Sequence, residues 1–470
     1  MKKYNFLTGT AMILFLMGGA VHAQSFVDKK QTDVHVMSQT YVWPKDSAVL
    51  AKLNQWQDLK FGVLFHWGLY SVKGINESWP LCSEERFLKR RKSIQPQMNY
   101  EEFKQWYWGQ INKFNPTEFN PEEWADIMKD AGMKYVVFTT KHHDGFCMFD
   151  TQTTSFSITH GPFGNNPRKD VAYHVFDAFR KKGFMIGAYF SKPDWHCEYY
   201  WNPDMATPAR NVNYQIKLHK EWWRKFQEYT ARQIDELTTR YGQIDILWLD
   251  GGQVRPDNGQ DIHLDRIIDK ARQKQPGMLA VDRTVPGRNE NYATPEMRVP
   301  PTQLNYPWES NLQLANGWGW RKNSLYKSPQ TIINNLIEIT AKGGALLLGV
   351  GPTPQGTIEE KAAICLRQVG EWLKSYGKAI YATRITSHYN DGNVWFTTSK
   401  DHKTLYALYV LPEGETLPST ITWKGNEPKG AIRLIKGNRK VKHTCKNGII
   451  TVELPKELKN EPIAFYYNRK

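Results

Sequence analysis

Carboxylates, imidazoles and indoles collect at the ends of short apolar runs in this chain. The clearest case is Ile244-Asp245-Ile246-Leu247-Trp248-Leu249-Asp250-Gly251-Gly252, in which an apolar run ends in a carboxylate and two glycines. Such a run reads as a strand buried on both faces. At the C-terminal end of a parallel strand a polar group faces the ligand crevice, which makes Asp250 a candidate for chemistry. An Asp-Gly pair also opens turns and caps segments, so the rest of the chain must decide. His142-His143-Asp144 follows a second run, Tyr135 to Lys141. Adjacent histidines on an extended chain point to opposite sides, and no His-Glu-x-x-His pattern is present, so a shared metal is disfavoured. Imidazoles also donate to and accept from the hydroxyls of a sugar. Trp67, Trp79, Trp195, Trp248, Trp308, Trp318 and Trp320 lie at strand ends or in loops, some of them as core and some as stacking surfaces.

Acyl transfer finds no Gly-x-Ser-x-Gly elbow and no Cys-His setting. Indoles, imidazoles and acids together point instead to glycoside hydrolysis, in which one carboxylate attacks and one carboxylic acid donates a proton. The second acid is expected downstream of Asp250. Glu290, Glu296 and Glu309 are placed for it, and position alone does not choose among them.

The elements that must position these groups alternate in type. Strands are expected at Phe61–Gly68, Tyr135–Lys141, Met185–Ser191, Ile244–Asp250, Met278–Arg283 and Gly344–Gly351. Between them lie helical patterns at 121–132 (Asn120 as N-cap, Gly132 as stop), 170–182, 213–241, 262–275 and 329–342, with one more at 357–376. Strand–helix alternation without a Gly-x-Gly-x-x-Gly after the first strand favours a (β/α)8-like barrel, irregular where strands six and seven are not clear. After Lys378 short alternating runs punctuated by Asn390-Asp-Gly392 and Lys446-Asn-Gly448 predict an antiparallel β-sandwich.

Met1–Ala23 carries Lys2 and Lys3, an apolar core from Phe6 to Gly19 and Val21-His22-Ala23, the pattern of a secretory leader cleaved near Ala23. The expected layout is leader 1–23, an irregular segment 24–50, the barrel 51–378 and the sandwich 379–470. No later stretch is long and apolar enough for a membrane span. The net charge of +15 is scattered, with one cluster at Lys89-Arg90-Arg91-Lys92, and no nucleic-acid-binding motif accompanies it. Five cysteines, Cys82, Cys147, Cys197, Cys365 and Cys445, allow one bridge whose pairing the sequence does not give.

An ordered series of motifs then becomes specific: Phe65-His66-Trp67-Gly68, Lys141-His142-His143-Asp144-Gly145-Phe146, Leu247-Trp248-Leu249-Asp250-Gly251, Asn291-Tyr-Ala-Thr-Pro-Glu296, Pro307-Trp308-Glu309 with Trp318-Gly-Trp320, and Leu348-Gly-Val-Gly-Pro-Thr-Pro-Gln-Gly356. The series resembles the α-L-fucosidases of glycoside hydrolase family 29. That resemblance implies a retaining, two-step hydrolysis of terminal α-L-fucose from fucosylated glycans, with no metal or organic cofactor. It implies Asp250 as the nucleophile and His66, His142, His143, Tyr189 and Arg283 as residues that bind fucose or orient the nucleophile. Trp79 and Trp320 are expected against the apolar ring face and C6 methyl. Glu309 fits the acid/base best, with Glu296 as runner-up; the acid/base should lie about 5–5.5 Å from the nucleophile and have its pKa raised by burial or by the nearby anion. The chain departs from the family at Trp320, where tyrosine is usual, and at Gly349, where asparagine is usual. Two alternatives stay open: a related sugar such as an α-L-galactoside, and a catalytically silent carbohydrate-binding protein.

Overall fold

A computed structural model describes residues 40–205 and 209–468, so the expected leader lies outside the described residues. Seven strands, β1 (Phe61–Phe65), β2 (Tyr135–Lys141), β3 (Met185–Ser191), β4 (Ile246–Asp250), β5 (Leu279–Asp282), β6 (Glu309–Gln313) and β7 (Ala345–Val350), form one sheet. They run in the order β5-β4-β3-β2-β1-β7-β6, every pair parallel. The helices among the described residues are α1 (Ser47–Leu59), α2 (Glu85–Ile94), α3 (Tyr100–Trp108), α4 (Pro121–Asp130), α5 (Val171–Lys181), α6 (Lys220–Arg240), α7 (Leu264–Lys274), α8 (Pro329–Ala341) and α9 (Glu360–Tyr376). The architecture is the expected TIM-like barrel, with seven strands in place of eight.

The irregularity falls between β5 and β6. There residues 290–297 take the place of a strand. Asn291 N donates to Ala280 O at 2.9 Å, Ala293 N to Pro307 O at 3.0 Å, and Met297 N to Asn311 O at 2.9 Å. Pro295, Pro300, Pro301 and Pro307 withhold ladder donors here, which keeps the segment from continuing as a regular strand. β6 itself was not legible as an apolar run, because its inward positions are Glu309 and Asn311.

Period-two alternation sorts the strands into an outer and an inner layer. Phe61, Val63 and Phe65 of β1 pack outward against the helices, while Leu64, Tyr135, Val137, Tyr189, Ile246, Trp248, Leu279, Val281, Ala345 and Leu347 fill the barrel. The expected irregular segment ends earlier than position 50. Asp46 caps α1, accepting from Ala48 N at 2.8 Å and Val49 N at 3.1 Å. Val49, Leu53 and Trp56, spaced at i, i+4 and i+7, then turn one face of α1 into the inner cluster and close the barrel floor.

Beyond α9 two antiparallel sheets follow. β8 (Asn390–Asp391), β9 (Val394–Thr398), β10 (Thr404–Tyr409), β12 (Arg433–Leu434) and β15 (Ile463–Asn468) form one; β11 (Thr420–Lys424), β13 (His443–Lys446) and β14 (Ile449–Glu453) form the other. Trp423 of the smaller sheet stacks on Phe465 of the larger one, with ring centroids 6.1 Å apart. The barrel and these sheets make one compact unit, tied by bonds such as Trp372 Nε1 to Pro462 O at 2.7 Å. All five cysteines are free, Cys445 exposed and the other four buried.

Candidate active site

The inner-layer alternation places the site. Two residues beyond the last inward apolar side chain of β1, β4 and β5 come His66, Asp250 and Arg283, after Leu64, Trp248 and Val281. All three line one pocket at the C-terminal mouth of the barrel, together with Glu77, Trp79, His142, His143, Tyr189, Trp248, Glu296, Asn311 and Trp318.

Asp250 sits at the centre. Arg283 Nη1 donates to its Oδ1 at 2.8 Å, the Tyr189 hydroxyl to its Oδ2 at 2.7 Å, and Gly251 N to Oδ1 at 2.8 Å. His143 Nε2 lies 3.8 Å from Oδ2. Burial alone would raise the Asp250 pKa, but Arg283, His143 and these donors outweigh it and hold the carboxyl well below the usual range. The anion is therefore fixed in place and aimed by its partners. Gly251 makes the turn: its φ is +85°, and a Cβ there would come 2.2 Å from Pro193 Cδ.

The same guanidinium reaches a second acid. Arg283 Nη2 donates to Glu296 Oε2 at 2.7 Å, so Asp250 and Glu296 stand on either side of one planar cation. Arg283 in turn lies over the Trp248 ring, 4.6 Å from its centroid, and the Tyr189 ring stacks on Trp248 at 5.2 Å.

His142 and His143 both reach the pocket, their rings 4.4 Å apart. The extended-chain argument that separates adjacent histidines fails here. The β2–β3 register shifts between Thr139 and Lys141, and past Lys141 the chain turns, with Gly145 N donating to His142 O at 3.1 Å. Ser78 Oγ and His142 Nδ1 are 2.5 Å apart. Burial pushes the His66 pKa down to about 3 and that of His142 well below its ordinary value, which keeps both rings neutral and able to donate and accept. Among the described residues neither nitrogen of His66, nor either amide atom of the buried Asn311, has a hydrogen-bond partner. Buried polar atoms without partners are costly, and these line the pocket.

Two expectations are corrected. Glu309 does not line the pocket. It is the first residue of β6, wholly buried on the barrel floor, where Tyr135 OH donates to its Oε2 at 2.8 Å and Trp248 Nε1 to its Oε1 at 3.1 Å. A period-two strand puts position 309 two residues, one inward layer, below Asn311. Trp320 does not line the pocket either. Its Nε1 donates to Glu359 Oε1 at 2.7 Å, while Trp318 turns into the pocket, its ring 5.8 Å from that of His66. Gly349 lets that indole seat: a Cβ there would lie 2.7 Å from the Trp318 ring.

Sequence reasoning missed Glu77 and Asn311. Glu77 follows a 3-10 turn rather than a strand, and Asn311 lies on a strand with no apolar signature. Burial pushes Glu77 up to about 8, against the Arg90 guanidinium 3.8 Å away.

The α-L-fucosidase family model matches residues 29–378. The chain is 28% identical to the plasma α-L-fucosidase of Homo sapiens over 382 residues, 76% of this chain and 76% of that protein. It is 29% identical to the tissue α-L-fucosidase of Homo sapiens over 404 residues, 80% and 79% of the two chains. The solved structure of α-L-fucosidase isoenzyme 1 from Paenibacillus thiaminolyticus superposes with a TM-score of 0.74 at 26% identity, covering 90% of this chain and all of that one. A carboxylate pair astride one arginine in a barrel mouth and a family match over most of the chain lead to one placement: this protein is a glycoside hydrolase of the α-L-fucosidase family.

Proposed function

We propose that this protein is an exported, retaining exo-α-L-fucosidase in which Asp250 is the nucleophile and Glu296 the acid/base. The observation that carries this reading is the single Arg283 guanidinium holding Asp250 Oδ1 and Glu296 Oε2 at 2.8 and 2.7 Å. It brings the two acids to one guanidinium at the pocket mouth, and a neighbouring pair of acids is what covalent catalysis uses. In the first step Asp250 attacks the anomeric carbon while Glu296 protonates the departing glycosidic oxygen. In the second, Glu296 takes a proton from water as that water displaces Asp250 and releases fucose. Arg283, His143 and Tyr189 keep Asp250 ionised and aimed for attack. His66, His142 and Asn311 offer neutral donors and acceptors to sugar hydroxyls, and Trp79 and Trp318 supply apolar faces.

Proton NMR of an aryl α-L-fucoside reaction tests the reading. α-L-Fucose is expected as the first product, mutarotating later. β-L-Fucose appearing first would show inversion and remove Asp250 as a covalent nucleophile. The leader pattern supports export, and N-terminal sequencing of the mature protein should begin close after Ala23.

A further inference from the structure

We propose that Glu309 is a positioning residue: from the barrel floor it fixes the Trp248 indole, and through that indole the Arg283 and Tyr189 groups that hold Asp250. The inference rests on the functional reading of Asp250 and Glu296 above.

The contacts form a column. At its base Trp56 of α1 stacks on Tyr292 at 4.0 Å and meets Tyr135 edge-on at 6.3 Å. Tyr135 OH donates to one Glu309 oxygen at 2.8 Å and Trp248 Nε1 to the other at 3.1 Å, so both oxygens are engaged and the carboxyl plane is fixed. The Tyr292 hydroxyl faces the same carboxyl. Above it the indole carries two loads, Arg283 4.6 Å over its ring and Tyr189 stacked at 5.2 Å. These are two of the groups that donate to Asp250, and Arg283 also donates to Glu296. A guanidinium on a desolvated indole face is held strongly, but only where the face lies. The torsion between Cβ and an indole ring is broad, and the N–H bond to Glu309 is what selects one setting.

Packing alone does not call for an acid here. The other inward residues near the floor are Tyr135, Met185, Ile246, Leu279 and Ala345, and of these only Tyr135 brings a polar side-chain atom, the hydroxyl that donates to Glu309. Burial pushes the Glu309 pKa up to about 7 even with Tyr135 and Trp248 donating, so the fold carries a costly group where an apolar one would pack. A role for that group in orienting its donors accounts for it.

The test compares E309A, E309Q, W248F and the E309A/W248F double variant with wild type, on aryl α-L-fucosides with a good and a poor leaving group. A displaced Arg283 should lower kcat/KM roughly 10- to 100-fold in E309A, mainly through kcat. The loss should be equal for both leaving groups and unrescued by azide. E309Q, which keeps an acceptor for the indole, should recover most of it. W248F should lose activity to a similar degree, and adding E309A to it should cost little more. The indole 1H–15N signal that vanishes in W248F should shift in E309A. Wild-type kcat/KM in E309A with a lowered Tm overturns the inference, and so does wild-type kcat/KM in W248F should E309A fail to fold. Azide rescue of E309A together with leaving-group dependence also overturns it, by making Glu309 the acid/base. Failure of the wild-type protein to hydrolyse fucosides would overturn the functional reading instead. The indole signal judges the column separately: unmoved in E309A, it overturns the inference.

Discussion

At the barrel mouth Asp250 accepts hydrogen bonds from Arg283, Tyr189 and the Gly251 amide; at the floor Glu309 accepts from Tyr135 and Trp248. Both acids project inward from strands of one sheet, and burial raises the pKa of both. The difference is a cation. Arg283 beside Asp250, together with His143 and the Tyr189 and Gly251 donors, outweighs desolvation and holds the carboxyl ionised, while around Glu309 the donors are neutral, Arg283 weighs least, and the carboxyl stays near 7. Burial and hydrogen bonding thus do not by themselves make a nucleophile. Charge pairing and access to the pocket separate the acid we propose to react from the one we propose to support it.

The comparison breaks most sharply at the mouth. D250N should lower kcat/KM on an aryl α-L-fucoside on the order of 10⁴- to 10⁶-fold with Tm largely kept. Activity within tenfold of wild type would mean that Asp250 does not attack. E296A comes next, with a loss of about 10² to 10⁴ that is worst for poor leaving groups and partly rescued by azide. If E309A alone shows that pattern, mouth and floor have been assigned the wrong way round.

Glu77 sharpens the contrast through stability. In the fold its pKa is about 8, whereas an unfolded glutamate titrates near 4.5. Between those values the folded state binds more protons than the unfolded one, so stability falls as pH rises through this window. E77Q does not titrate, and its Tm relative to wild type should climb between pH 5 and pH 8, by the equivalent of about 3 to 4 kcal/mol. A pH-independent Tm difference would argue that Glu77 is ionised throughout. The smallest effect belongs to Asn311. N311L should raise KM for the fucoside roughly three- to tenfold, the worth of one neutral hydrogen bond, with kcat little changed. An unchanged KM would remove Asn311 from the binding residues.

Much of the fold was legible because strands buried on both faces are long apolar runs. β2 and β3 fall where their runs predict, and α4 starts and stops at its signals, Asn120 at one end and the turn before Gly132 at the other. β6 was not, because a barrel interior can carry Glu309 and Asn311 on inward positions that strand patterns expect to be apolar. The segment at 290–297 escaped because its prolines erase the strand signal while its remaining amides still bond to both neighbours.

The sequence by itself determined that His66, Tyr189, Asp250 and Arg283 reach the pocket, because period-two alternation is a local property, whereas the adjacent His142 and His143 both reach it because the chain turns past Lys141. It also left Glu296 and Glu309 as rivals, thirteen residues apart in an irregular stretch. Only the tertiary structure decided where each of them stands, since depth along a barrel depends on where a chain segment joins the sheet. The chain passes Glu296 at the mouth, beside Arg283, and re-enters the sheet with Glu309 at the floor.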